Sequence, residues 1–384
     1  RYVSVTGVQT CALPISQISR RSLFGAAAAA SVLPVAGGLA AFSPIAAAAA
    51  APKKARTIVE IAAMSPVDMA RESDVVQTSY EIIRAAAGRL RDPELRKAVL
   101  SVIENPAPTI ASADQSAVLA ALKKEGLIAA GRTSVFPKFS DTTRSPQPTW
   151  SAPGSGYGSH HAYPSGLCTH VALNVVSAES LVAAYDNIDG LKLDFDHAVG
   201  GEILHDLHKP WVFQWEADNA CRKEEALAGT GEHHVLSIAE SIKRGLPAEF
   251  VVAQACAHEH PGSASGEAQV VGWLRAAAII AGVDPVKAGL IAADGKTLPL
   301  PRRIEGWVVH LADHDWVISV PACQWVVKAL RNLAEKKWGV RDEKTFNALR
   351  NYVLCNLTAM RLYGILSAQG EEAFAADVAR VVKA

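Results

Sequence analysis

The sequence has no excess of either charge, since 38 Lys and Arg balance 38 Asp and Glu across 384 residues. A neutral chain carries no electrostatic footprint for nucleic acid or for an anionic membrane surface, so neither partner is expected. Aromatic residues are only 6% of the chain and β-branched alternation is scarce, while alanine is abundant. That composition favours helices and predicts an all-α protein. No segment repeats at a fixed period. CxxC pairs are also missing: apart from Cys11, the cysteines are Cys168, Cys221, Cys256, Cys323 and Cys355. An odd number of mostly apolar-flanked cysteines reads as small core residues, not as a disulfide framework. The length is enough for a sizeable core and for one large or two modest domains.

The N-terminal stretch falls into two pieces. Val5 to Ile15 (VTGVQTCALPI) resembles the translation of a sequencing-library adapter. Residues 1–18 are then expected to be an artefact, with the natural start lost or near Ser16, and Cys11 leaves the count. Residues 19–50 begin Ser19-Arg20-Arg21-Ser22-Leu23-Phe24 and continue into a weakly apolar Ala/Gly/Val/Leu stretch with small residues at its exit. This resembles a twin-arginine export signal. Alanine contributes little to membrane insertion and no aromatic belt flanks the stretch, which favours an export signal over an anchor. The expected location is the periplasm, reached already folded through the twin-arginine translocation machinery.

Residues 55–135 read as three or four helices. Ser65-Pro66 and Asp92-Pro93-Glu94 each combine an N-cap with proline at the first helical position. Leu95, Val99, Val102 and Ile103 follow at helical spacing, and Ser112 to Lys124 gives another helix closed by Gly126. This region holds no histidine and is expected to act as a helical cap. Prolines and glycines between 136 and 166 break any regular element. That loop ends in Ser159-His160-His161 and runs into a helix carrying His170, so it is expected to fold over a site. Residues 321–384 read as two or three more amphipathic helices, with Asp342 as an N-cap and Gly370 between two of them.

The histidines fall at helix ends. His170 opens one helix, and His205-Asp206 closes another in Glu202-Ile203-Leu204-His205-Asp206-Leu207-His208-Lys209-Pro210. His233 and His234 open a third. His258 and His260 end a helix that begins at Pro247. Trp307-Val308-Val309-His310-Leu311-Ala312-Asp313-His314-Asp315 places Asp313 near the middle of an apolar helix. A single such residue is more often a hydrogen-bonded core histidine than a ligand. Five coincident placements point instead to a metal cluster inside a helical bundle.

This pattern resembles the HD superfamily of metal-dependent phosphohydrolases, over residues 155–320. HHAYPSGLCTH resembles that family's first-helix entry, ILHDLHKP its His-Asp element and VVHLADHDWV its closing Asp helix. The resemblance implies an HD-like bundle in which His170, His205, Asp206 and Asp313 bind a first divalent metal. Asp206 would bridge to a second, completed by His233 and His258. His233 is preferred to His234 because the small Ser237 follows it by four residues. Fe, Mn, Zn, Co and Ni all suit such ligands. Two cations would activate water as hydroxide to attack a small phosphorylated substrate, a phosphomonoester or phosphodiester, with a nucleotide among the candidates. Lys209 would hold a phosphate oxygen, and His161 would contact the phosphate or protonate the leaving group. His310 is expected to support Asp313 from behind. His208 stands where the family has glycine, and the fourth helix's paired histidines are split as His258-Glu259-His260. A di-iron oxygenase of the same frame is the alternative, and a non-catalytic binding module ranks below it.

Overall fold

A computed structural model describes residues 55–383, and the expected adapter remnant and export signal lie outside the described residues. Local signals set where the helices start. Ser65 accepts from the Asp68 amide with Pro66 at the first position, Asp92 accepts from the Glu94 and Leu95 amides, and Asp342 accepts from the Thr345 amide. Each pairs a donor that the first helical turn would otherwise leave unsatisfied. Gly190, Gly282 and Gly339 end their helices in the left-handed conformation.

The resulting helices are α1 (Ile58–Ala62), α2 (Pro66–Glu72), α3 (Asp74–Gly88), α4 (Pro93–Glu104), α5 (Gln115–Lys124), α6 (Gly166–Asp189), α7 (Phe195–Leu204) and α8 (Lys209–Val212). They continue with α9 (Glu232–Lys243), α10 (Ala248–Ala255), α11 (Ala264–Ala281), α12 (Glu305–Ala312), α13 (Trp316–Trp338), α14 (Glu343–Leu357) and α15 (Ala359–Val378). Gly370 interrupts α15 with non-helical backbone. A two-residue hairpin, Ala226–Leu227 with Thr230–Gly231, is the one sheet among the described residues. The protein is an all-α helical bundle.

Two apolar cores organise it. The larger is built from α3, α4, α6, α7 and α9 to α12, with α6 packed on α3, α7 and α12 and α7 packed on α10. Gly200 on α7 permits that last contact, because a Cβ there would stand 2.7 Å from the Phe250 ring. The smaller core joins α1 and α2 to α13, α14 and α15. Its two ends are tied where the Arg56 amide donates to Val381 O and Lys383 donates to Arg56 O, both at 3.0 Å.

The Pro/Gly segment is strapped down by side chains. The Trp211 indole donates to Phe139 O at 2.7 Å, and Gln147 donates to Pro210 O and Phe213 O at 2.9 and 3.0 Å. Its last turn folds back so tightly that a Cβ at Gly166 would lie 1.8 Å from His161 O. That crossing sets His160 and His161 over the start of α6.

One helix differs from expectation. The apolar run through Asp313 is not continuous: α12 ends at Ala312, Asp313–Asp315 form a 3-10 turn and α13 begins at Trp316. Apolar residues flank the turn on both sides, so periodicity does not mark the break. Asp313 therefore sits at a helix end, as His205 does.

Candidate metal centre

Five helix ends converge inside the larger core. His170 Nε2 lies 3.3 Å from Asp206 Oδ2 and 3.1 Å from Asp313 Oδ1. His205 Nε2 lies 3.1 and 3.4 Å from the same two oxygens. Two imidazoles and two carboxylates thus face one point. Across Asp206, Oδ1 lies 3.3 Å from His233 Nε2, and His258 Nε2 lies 3.9 Å from Asp313 Oδ2. His170, His205 and Asp313 form one group able to hold a metal ion, and Asp206, His233 and His258 form another.

The arrangement fits a cation on two grounds. First, His205 Nε2, His233 Nε2 and Asp206 Oδ1 are buried with no partner in hydrogen-bonding geometry, and Asp206 Oδ2 has only its ion pair with Lys209. Leaving such atoms unpaired is costly, and a divalent ion would satisfy them together. Second, each imidazole is held by its other nitrogen. His170 Nδ1 meets Asp315 at 2.9 Å, His205 Nδ1 meets the Glu202 carbonyl at 2.7 Å, His233 Nδ1 meets Glu224 at 2.5 Å and His258 Nδ1 meets Thr230 Oγ1 at 3.0 Å. An Nδ1–H donated outward leaves the Nε2 lone pair aimed inward, which is how metal-bound histidines are oriented. Nitrogen and carboxylate donors suit borderline divalent cations.

Protons occupy this centre when no cation does. Burial opposes charge on His170, but Asp206, Asp313 and Asp315 outweigh it and raise its pKa to about 10. His233 is raised to about 8, where burial is overcome by Glu224 and Asp206. Burial, reinforced by His234 and His233, holds His258 well below its ordinary value. Asp206 and Asp313 stay ionised: burial is overridden by the imidazoles and, for Asp206, by Lys209. Glu202, three residues before His205 and fully buried, is pushed by burial up to about 8.

A cleft of about 1030 Å³ opens over the centre. Lys209, which is ion-paired with Asp206, lines it, as do Lys223, His160, Tyr157 and Trp316. His160 is lowered to about 4 by burial and by Lys209 and His170, so its ring is neutral at pH 7. His161 is not in the cleft wall. It lies beneath His160, with Nδ1 at 2.9 Å from His160 Nδ1 and Nε2 at 3.6 Å from Asp315.

The remaining histidines point elsewhere. His234 stacks on His258 at 4.1 Å between ring centroids and bonds to the Ala255 carbonyl. His208 is buried against Glu240 at 3.1 Å, with Trp211 across its ring. His310 bonds to the Ala257 carbonyl at 2.9 Å, so it fixes the turn carrying His258 and not Asp313. His260 turns outward, and with Glu259 and His310 it forms a group outside the cleft. The Gly262 amide donates to His260 Nδ1 at 3.0 Å.

Sequence reasoning missed Glu224, Asp315, Lys223, His160 and Glu202. Glu224 and Lys223 sit in a charged run that reads as a solvated turn. Glu202 carried a signal, as an acid inside an apolar run one helical turn before the His-Asp pair, and so did His160, beside His161 in the loop expected to fold over the site.

No family model matches the chain, and no solved structure does. Over 180 residues the chain is 27% identical to a dihydroneopterin 2',3'-cyclic phosphate phosphodiesterase of Methanocaldococcus jannaschii. The match covers 45% of this chain and 56% of that protein, so the chain spans little more than half the relative's length. The protein is thus distantly similar to a phosphodiesterase and carries buried His/Asp groups able to hold metal ions.

Proposed function

We propose that this protein is an HD-type metal-dependent phosphohydrolase acting on a small phosphodiester or phosphomonoester, with cyclic phosphates of the kind its relative hydrolyses as first candidates. The observation that carries the reading is the division of Asp206, which turns one oxygen to His170 and His205 and the other to His233. A carboxylate so divided can serve two neighbouring cations at once. His170, His205, Asp206 and Asp313 would hold the first, and Asp206, His233 and His258 the second. Divalent ions there supply Lewis acidity and lower the pKa of water toward neutrality.

The chain's own residues do the rest. Lys209 and Lys223 present ammonium groups to the cleft, where they would neutralise phosphate oxygens as point charges. Neutral His160 would donate an N–H to the same phosphate. His161, set behind it, would orient it through their shared nitrogen contact. Asp315 and Glu224 keep the Nδ1 protons of His170 and His233, so neither ring turns. We propose further that the protein works in the periplasm after twin-arginine export. Lys at positions 20 and 21 should trap it in the cytoplasm, and continued periplasmic recovery would refute the export.

The test is turnover. Protein stripped by chelator and reloaded singly with Fe, Mn, Zn, Co or Ni is offered aryl phosphodiesters and 2',3'-cyclic phosphates. Hydrolysis is expected with at least one metal and none without it. Folded protein inactive with every metal, or iron-loaded protein that consumes oxygen instead, overturns the reading.

A further inference from the structure

A second cleft, of about 940 Å³, lies between α13 and α14 and shares Tyr157 and Ser159 with the first. Three cations line it, Lys328, Arg331 and Arg350, and no carboxylate does. Arg331 is accounted for by Glu343 at 2.9 Å. Arg350 is not. It is 4% exposed, yet among the described residues its hydrogen bonds go only to the Asn351 amide oxygen, through Nε and Nη2 at 3.3 and 2.8 Å. Among the described residues no ion pair joins it to a carboxylate. A guanidinium keeps its proton even when buried, and a buried charge is ordinarily paired.

The neighbours do not cancel that charge. Burial raises the Cys221 thiol to about 12 and also raises Cys323, so neither is a thiolate. The Tyr157 ring lies under the guanidinium at 4.8 Å, held by its hydroxyl donating to Asn347 at 3.0 Å. A ring face offsets part of a cation's desolvation but accepts no N–H from the guanidinium edge, so beyond the Asn351 oxygen that edge has no acceptor among the described residues. Such a fork matches the paired oxygens of a phosphate or carboxylate.

We infer that the cleft between α13 and α14 is a small-anion site, built on Arg350 with Lys328 also in its wall, that takes a phosphate or carboxylate group. The shared Tyr157 and Ser159 allow two sources: a free anion, or the second anionic end of a substrate whose first lies over the metal centre. The first source is independent of the proposed hydrolase reaction, whereas the second rests on it.

The test is calorimetric titration of inorganic phosphate into chelator-treated protein, which needs neither metal nor turnover. A Lys209→Ala, Lys223→Ala double variant removes the ammonium groups of the first cleft and should still bind phosphate. Adding Arg350→Gln to it should weaken that binding at least about tenfold. Lys328→Glu, at a more accessible position, should do the same with the fold intact by circular dichroism, which covers the case in which the Arg350 variant does not fold. Phosphate binding unchanged by Lys328→Glu, or by a folded Arg350→Gln, overturns the site. For the source, KM is compared between substrates with one and with two anionic groups. A rise in Arg350→Gln confined to the second kind assigns the site to substrate, and equal KM values with lost phosphate binding assign it to a free anion.

Discussion

The two cores of this bundle bury polar groups in opposite ways. In the smaller one many are matched: Ser73 donates to Cys355 O, Asn351 donates to Asn219 O, and Asp377 is held by Arg361 and Arg380. In the larger one, unpartnered imidazole and carboxylate atoms gather at one point where five helix ends meet. All 12 histidines of the chain lie between residues 160 and 314, and none lies in α1, α2, α13, α14 or α15. What sets the larger core apart is that its unpartnered atoms, imidazole nitrogens and carboxylate oxygens, converge on one another, whereas those of the smaller core, Arg56 Nε and Trp338 Nε1, stand alone. Arg350, at the border of the smaller core, has no carboxylate partner among the described residues, and it too faces a cleft.

The sharpest way to break this contrast is to remove the shared carboxylate. Asp206→Ala should abolish turnover and cost both bound ions, read by hydrolysis and metal content, because neither group keeps its bridging oxygens. Full activity in that variant would mean the convergence is structural. The converse variant lies in the other core: Leu349→Ala, at a fully buried position on α14, should cost about 2–5 kcal/mol of stability. Metal per folded chain should not change, and a matching loss of metal would show that the two cores are not separable.

Outer partners should give smaller effects. Glu224→Gln and Asp315→Asn each keep their size but lose the charge behind His233 or His170, and metal affinity should fall about 10–100-fold. An unchanged dissociation constant would dismiss them as bystanders. The mildest probe is pH. His170 is raised from 6.5 to about 10 in the folded metal-free protein. Its stabilising contribution is therefore full below pH 6.5 and is lost as pH rises through about 10. Metal displaces the same proton, so affinity should climb with pH, most steeply below the His233 value of about 8. Melting temperatures of stripped and loaded protein should separate as pH rises, and parallel curves would contradict the competition.

Much of this was legible in the chain. Ser65, Asp92 and Asp342 mark helix starts because capping chemistry is local, and the positions of His170, His205 and His233 relative to their helices follow from apolar spacing. What spacing does not carry is rotation and long-range pairing. Whether His233 or His234 faces inward depends on how α9 lies on α11, and His258 and His260 part because the backbone turns between them. The junction of α1 and α2 with the last three helices rests on contacts some 300 residues apart, as between Arg56 and Val381. The supporting acids were hidden for another reason. Glu224 and Asp315 look like surface charge until a histidine is seen to lean on each.

The most direct test is elemental analysis of the full chain purified without chelator, alongside Asp206→Ala. The account predicts about two divalent transition ions per wild-type chain, as a pair of cations on one bridging carboxylate requires, and a clear deficit in the variant. A folded wild-type protein that holds no such ion, and takes none up on dialysis, would contradict it.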